Sequence, residues 1–149
     1  MESFIGISET RMKHILGVAR KCYALAEKQG FDEDKCRRMF MLGYIHDVGY
    51  EFSRERDEHA VVSAQLIGTL GTIDRDCIIS VLNHGSMVEL SEQSDAWRIL
   101  VTADMTVDYD GQEVSAEQRL AGIKKRYGET SRQYINAYNV CKYLGLIER

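Results

Sequence analysis

The chain has 149 residues, of which 44% are hydrophobic and 28% charged, and these values fit one soluble globular domain. Its net charge of −4 argues against a nucleic-acid partner, because nucleic-acid surfaces rely on clustered Lys and Arg. No apolar run approaches the roughly 20 residues of a membrane span, and the N-terminal residues lack the pattern of a secretory signal. We therefore expect a cytoplasmic protein that binds neither membranes nor nucleic acids.

The pattern of helix breakers and apolar residues predicts an all-α fold. The chain has no proline, so the strongest helix breaker is missing. Glycines near residues 30, 49, 71, 85, 111 and 128 are typical of helix C-termini. Apolar residues recur at helical spacing, and Ser115–Gln118 and Thr130–Gln133 match the capping box of a helix start. These signals predict helices at 8–29, 33–47, 57–70, 74–84, 92–109, 115–127 and 131–144.

The cysteines and the C-terminal third predict no chemistry of their own. The four cysteines form no C-x-x-C pair and lie among apolar neighbours, so we expect buried, reduced thiols. The basic run Lys124–Arg126 is typical of a solvated helix end. The tyrosines of the last two predicted helices favour packing or a homodimer surface, since basic residues do not alternate with them; they are Tyr127, Tyr134, Tyr138 and Tyr143.

The four histidines lie on the inner faces or at the ends of the first four predicted helices. His14 lies within the first helix, His46 and His84 end the second and fourth, and His59 opens the third. Asp104 lies one turn beyond Leu100 on the stripe of the fifth helix that should face the core. A carboxylate in such a place is costly unless it is paired or bound to a metal.

The joint pattern favours a metal site, although each histidine alone is more often a hydrogen-bonded core residue. With Asp47, which directly follows His46, the set offers enough nitrogen and oxygen ligands for two metal ions. Imidazole and carboxylate together suit Fe, Mn, Co, Ni or Zn, and helical bundles build such sites from facing helices.

The order of these residues resembles the HD superfamily of metal-dependent phosphohydrolases. MLGYIHDVGY resembles the apolar helix of that family that ends in H-D-x-G, and EHAVVSAQLI resembles its H-x-x-x-[small]-A helix. SVLNHGS and LVTADMTVD resemble its later His and its A-D helix. The match covers a metal-binding core at about residues 10–110, and two helices at 112–147 follow it.

The resemblance implies a single HD domain over residues 1–149, a bundle of about six to seven helices with a dinuclear metal centre. Asp47 would bridge the two ions and be the catalytic residue. The first ion would bind His14, His46, Asp47 and Asp104, and the second would bind Asp47, His59 and His84. On size and layout, the nearest branch contains the small bacterial enzymes that cleave diadenosine tetraphosphate symmetrically. The expected activity is hydrolysis of a small nucleotide or dinucleoside polyphosphate.

The chain departs from the family pattern at one position. Many members have Lys four residues after the motif His, where this chain has Tyr50. Tyr50 is therefore a candidate to hydrogen-bond the substrate or stack on its base. Arg54 and Arg56, between the motif Asp and His59, are candidates to bind phosphate.

Two alternatives remain open at this point. One is a non-catalytic protein that binds or senses a nucleotide; Tyr50, in place of the common Lys, keeps this alternative open. The other is a di-iron oxygenase, because some oxygenases of the superfamily use a similar ligand set.

Overall fold

The structure is a computed structural model that describes residues 7–51, 59–69, 71, 73–84 and 93–148, apart from the side chains of Tyr50 and Glu51. These residues form seven α-helices, one 3-10 helix at Val48–Glu51 and no β-strand. The predicted all-α bundle is confirmed. The helices are α1 (Glu9–Lys28), α2 (Glu33–Ile45), α3 (His59–Gly68), α4 (Arg75–Leu82), α5 (Asp95–Asp104), α6 (Ala116–Tyr127) and α7 (Arg132–Tyr143).

Most of the helices begin where a short polar side chain satisfies the free N–H groups of the first turn. The capping box predicted at Ser115–Gln118 is present at the start of α6. The cap predicted at Thr130 is wrong by one residue, because the Ser131 side chain accepts from Tyr134 N. Helix α5 likewise begins after Ser94 and not at residue 92.

The predicted end of the fifth helix is wrong, because α5 stops at Asp104 and not at residue 109. The next residues form a loop closed by a bridge between Val107 and Glu113. At the helix end the Thr106 hydroxyl donates to Thr102 O at 2.7 Å, which is the acceptor that a continued helix would give to the Thr106 N–H. Further along the loop, Asp108 Oδ1 accepts the backbone N–H of Gln112 at 2.9 Å. Gly111, predicted near a helix end, lies in this loop with φ of 78°.

Two hydrophobic clusters share helix α5. Ile99, Leu100 and Ala103 pack into a cluster with residues of α1 to α4. Trp97 and Val101, on the other side of α5, pack with residues of α6 and α7. Helix α5 is thus held on both sides, which fixes the position of Asp104 at its end.

Helices α1 and α2 approach each other at Gly43. A Cβ atom at Gly43 would lie 2.6 Å from Ala19 Cα and 2.9 Å from Ala19 N, so only glycine fits without a shift of the backbone. This close contact brings the end of α2, and with it His46, next to α1.

The cysteine thiols lie inside the fold. All four cysteines are free and buried, as predicted. Burial raises the pKa of the Cys77 and Cys141 thiols to about 12, so neither is a ready nucleophile. Within the described part of the chain, no helix is both long and apolar enough to cross a membrane.

Candidate metal centre

The structure brings the six predicted ligand residues together at the ends and inner faces of five helices. His14 lies within α1, His59 is the first residue of α3 and Asp104 is the last of α5. His46 is the C-cap of α2, Asp47 follows it, and His84 lies just beyond α4. All but His59 and Asp104 are buried. Those two keep 19% and 13% of their side chains exposed.

Three of the histidines are oriented by backbone carbonyl groups. The Nδ1 atom lies 3.0 Å from Asp108 O in His14, 2.6 Å from Gly43 O in His46 and 2.6 Å from Val81 O in His84. A carbonyl oxygen can only accept a hydrogen bond, so each Nδ1 carries the proton. When neutral, these rings present the lone pair of Nε2 to the centre of the cluster, as metal-ligating histidines do.

One side of the cluster places these lone pairs against carboxylate oxygens. His14 Nε2 lies 2.9 Å from Asp104 Oδ1. His46 Nε2 lies 3.6 Å from the same oxygen and 3.3 Å from Asp47 Oδ2, and it has no hydrogen-bond partner among the described residues although it is buried. Lone pairs that face each other at such distances require a positive charge between them, either a proton or a metal ion. The donor set suits a divalent ion.

The other side of the cluster repeats this arrangement around the second oxygen of Asp47. Asp47 Oδ1 lies 3.4 Å from both His59 Nε2 and His84 Nε2, and these two nitrogens are 3.1 Å apart. The other oxygen, Oδ2, faces His46 and, at 3.9 Å, His14. The two oxygens of this one carboxylate therefore face two different pairs of histidines.

The local electrostatics favour positive charge in the same place. Burial alone lowers the pKa of His46, but Asp47 and Asp104 beside it raise its pKa to about 10. Burial would raise the pKa of both aspartates, yet the histidines around them hold each pKa well below its usual value. A bound cation would neutralise the two carboxylates in place of protons.

Among the described residues, two groups of three that share His46 have ligand atoms that all lie within 4.8 Å of one another, and Asp47, His59 and His84 lie equally close together. The first is His14, His46 and Asp104, and the second is His46, Asp47 and His84. His46 thus lies near both positions, whereas the resemblance implied that His59 completes the second one. His59 Nε2 is at 3.4 Å from Asp47, so the distances are compatible with either division.

A cavity of about 260 Å³ opens onto the cluster. Five of the six predicted ligands line it, all except His46, and three arginines do so as well: Arg11, Arg119 and Arg132. Sequence reasoning did not assign these arginines to the site. It also assigned the tyrosines of the last two helices to packing or a dimer surface; of these, Tyr127 lines the cavity together with other residues of α6 and α7.

Two of these arginines contact the aspartates of the cluster, Arg11 through the carboxylate of Asp47 and Arg119 through the backbone of Asp104. Arg11 Nη1 lies 3.2 Å from Asp47 Oδ2. Arg119 Nε donates to the carbonyl oxygen of Asp104 at 3.1 Å. The sequence carried a signal for Arg119, because it lies on the same stripe of α6 as Ala116 and Ile123, which are buried. Like Asp104, a charged residue at a core position is unfavourable unless it is paired or bound to a ligand.

The predicted substrate-binding residues fall where the structure gives no test. Arg54 and Arg56 lie outside the described residues, and so does the side chain of Tyr50. Lys124 is exposed and pairs with Glu129 at 3.1 Å, which confirms a solvated helix end there. Arg126 Cζ lies 3.8 Å from the ring centre of Tyr109, a residue of the cavity wall.

The comparisons with known proteins give one match. The sequence profile of the HD domain matches residues 11–121, about three-quarters of the chain, and this span includes all six residues of the cluster. Neither a search of curated proteins nor a search of solved structures gave a match.

Proposed function

The chain belongs to the HD domain family, and from that premise we propose that it is a metal-dependent phosphohydrolase. Its substrate is a small nucleotide or a dinucleoside polyphosphate, and its centre holds two divalent ions. The site is the metal cluster together with the arginine-lined cavity above it.

The division of Asp47 is the observation that carries this proposal. A carboxylate whose two oxygens face separate histidine pairs has the arrangement of a ligand shared by two ions. In this proposal Asp47 would help to hold both ions. His14, His46 and Asp104 would hold the first ion with it, and His59 and His84 the second.

The charge of the occupied centre supports an anionic substrate. Two divalent ions bring four positive charges, and the carboxylates of Asp47 and Asp104 supply two negative ones, while the imidazoles are neutral. The centre would be positive within a chain whose net charge is −4. Bound divalent ions supply Lewis-acid activation of a water molecule and neutralise the charge of a phosphoryl group.

The side chains around the centre have separate tasks in this proposal. The backbone carbonyl groups fix the rings of His14, His46 and His84, so that their Nε2 atoms are in place before the ions bind. Arg11, beside Asp47 on the cavity wall, is positioned to donate to a phosphoryl oxygen. The apolar wall formed by Met105, Ile123 and Val140 limits access of bulk water to the reacting group.

An activity panel tests the proposal. The protein is reconstituted with Mn²⁺, Fe²⁺ or Co²⁺ and incubated with nucleotides, dinucleoside polyphosphates and cyclic dinucleotides, and release of phosphate or nucleotide is measured. We expect turnover that is lost in Asp47→Ala while the helical circular dichroism signal persists. Nucleotide binding without turnover would support a sensor instead, and oxygen consumption by the iron form would support an oxygenase.

A further inference from the structure

Arg119 is a buried cation beside the metal cluster, and its contacts with the cluster engage only part of its guanidinium group. It is only 6% exposed and lies on α6 among Ala116, Leu120 and Ile123, which are buried too. It also lines the cavity that opens onto the cluster. Burial of a guanidinium group is unfavourable unless its donors are paired, so its donors need to be accounted for one by one.

Among the described residues, only the Nε donor of Arg119 has a hydrogen-bond partner. Nε donates to the carbonyl oxygen of Asp104 at 3.1 Å. Nη2 lies 3.8 Å from Asp104 Oδ1, which is beyond hydrogen-bond distance. Nη1 is buried and has no hydrogen-bond partner among the described residues. Within the part of the chain that the structure describes, the edge of the guanidinium that carries the two Nη atoms has no acceptor at hydrogen-bond distance.

The plane of this guanidinium is nevertheless fixed. The bond from Nε to the Asp104 carbonyl holds one edge, and the Tyr109 ring lies 4.5 Å from Cζ. Arg126 packs on the same ring at 3.8 Å. A guanidinium whose plane is fixed and whose Nη edge lacks an acceptor is suited to bind two oxygens of one planar or tetrahedral anion.

We propose that Arg119 is a substrate-binding residue whose Nη1 and Nη2 donate to phosphoryl oxygens beside Asp104. The identity of the anion as a substrate phosphate rests on the proposed function, whereas the capacity to bind an anion does not. Arg11 and Arg132 line the same cavity and add to its preference for negative charge. The bound phosphoryl group lies between the metal cluster and the helices α6 and α7.

A purely structural role for Arg119 makes a different prediction. If its task were only to orient Asp104 through the Nε hydrogen bond, its substitution would reduce metal content, and phosphate binding would fall only in proportion. If it binds phosphate, phosphate affinity falls at full metal content. Metal content and anion affinity must therefore be measured on the same samples.

The test compares Arg119→Lys and Arg119→Gln with the wild type, and uses Arg37→Gln as the control. Arg37 is exposed on α2, where it pairs with Glu33, away from the cavity. Calorimetric titrations of the Mn²⁺-loaded proteins measure affinity for inorganic phosphate, pyrophosphate and acetate. We expect both Arg119 variants to bind the two phosphates roughly tenfold or more weakly with unchanged Mn²⁺ content, and Arg37→Gln to match the wild type.

Several outcomes would overturn the inference. These are unchanged phosphate affinity in the Arg119 variants, a loss that only follows loss of Mn²⁺, or acetate binding as tight as phosphate binding with the same dependence on Arg119. If the variants do not fold, a crystal structure of the wild type soaked in phosphate decides. The inference requires the anion within hydrogen-bond distance of Arg119, and an anion bound elsewhere contradicts it.

The same data separate this inference from the proposed function. Phosphate binding that depends on Arg119 in a protein without turnover would contradict the hydrolase and leave the inference standing. Turnover with phosphate affinity that does not change in the Arg119 variants would do the reverse.

Discussion

At the scale of single residues, backbone carbonyl groups set the orientation of three of the four imidazoles. The Nδ1 atoms of His14, His46 and His84 all lie against backbone carbonyl groups. This leaves Nε2 as the inward-facing atom in each ring. The chain therefore presents nitrogen ligands that need no rearrangement to bind a cation, and that lowers the entropic cost of binding.

Single-histidine variants test the proposed division of the ligands. His14 faces Asp104, and His59 faces Asp47 Oδ1 from the other side. We expect His14→Ala and His59→Ala each to lose about one of two bound ions, measured as metal per protein by mass spectrometry after reconstitution. Loss of neither ion from either variant, with helical content intact, would contradict the division.

A site residue could be predicted from the sequence when its type is rare in its position along the chain. Histidines are scarce here, and a core-facing Asp104 is unusual, so their positions alone indicated a shared site. Arg11 and Arg119 are charged residues in amphipathic helices, where charges are common. The apolar stripe of α6 offered a signal for Arg119, whereas only the packing of the helices shows that Arg11 lines the cavity.

At the scale of helices and loops, close packing at the end of α2 sets the site. Gly43 lets α1 and α2 touch at Ala19, and its carbonyl group also binds His46 Nδ1. One residue thus controls both the spacing of the two helices and the orientation of a ligand.

A pair of glycine substitutions tests this role. Gly43→Ala places a Cβ atom 2.6 Å from the backbone of Ala19, so α1 and α2 must move apart. We expect a loss of about 1–3 kcal/mol in the free energy of unfolding, together with weaker metal binding. Denaturant titration and metal titration measure the two effects.

Gly122→Ala is the matched control, because Gly122 lies inside α6 and its Cβ would meet nothing within 4 Å. Here we expect unchanged metal binding and a gain of about 0.5–1 kcal/mol, since alanine is the better helix former. A Gly43→Ala protein that behaved like Gly122→Ala would show that the contact with Ala19 does not position the site.

The loop after α5 shows where sequence patterns fail at this scale. Apolar spacing continues past Asp104 into Met105 and Val107, which predicted a longer helix. Instead, the Thr106 hydroxyl occupies the carbonyl group of Thr102, and the loop that follows accepts the hydrogen bond from His14 through Asp108 O. The helix ends where the site needs it to end, and no periodicity reports that.

At the scale of the whole molecule, the two hydrophobic clusters place the site between two groups of helices. The first group, α1 to α5, carries the six ligand residues, and the second, α6 and α7, covers one side of the cavity. Helix α5 belongs to both clusters. The sequence indicated the first group through its motif, whereas the position of α6 and α7 over the site follows from tertiary packing around Trp97 and Val101.

The distribution of charge at this scale also favours a small anionic ligand. The chain as a whole is acidic, yet three arginines line one small cavity beside the metal cluster. A net negative charge disfavours long polyanions such as nucleic acids, while in our proposal the arginines attract a small anion into the cavity.

The most direct test of the account is a crystal structure of the Mn²⁺-loaded protein with anomalous scattering data. We predict two anomalous peaks about 3.5–4 Å apart, with one oxygen of Asp47 on each. Absence of any peak within the cluster, or a single peak without Asp47 among its ligands, would contradict the dinuclear centre.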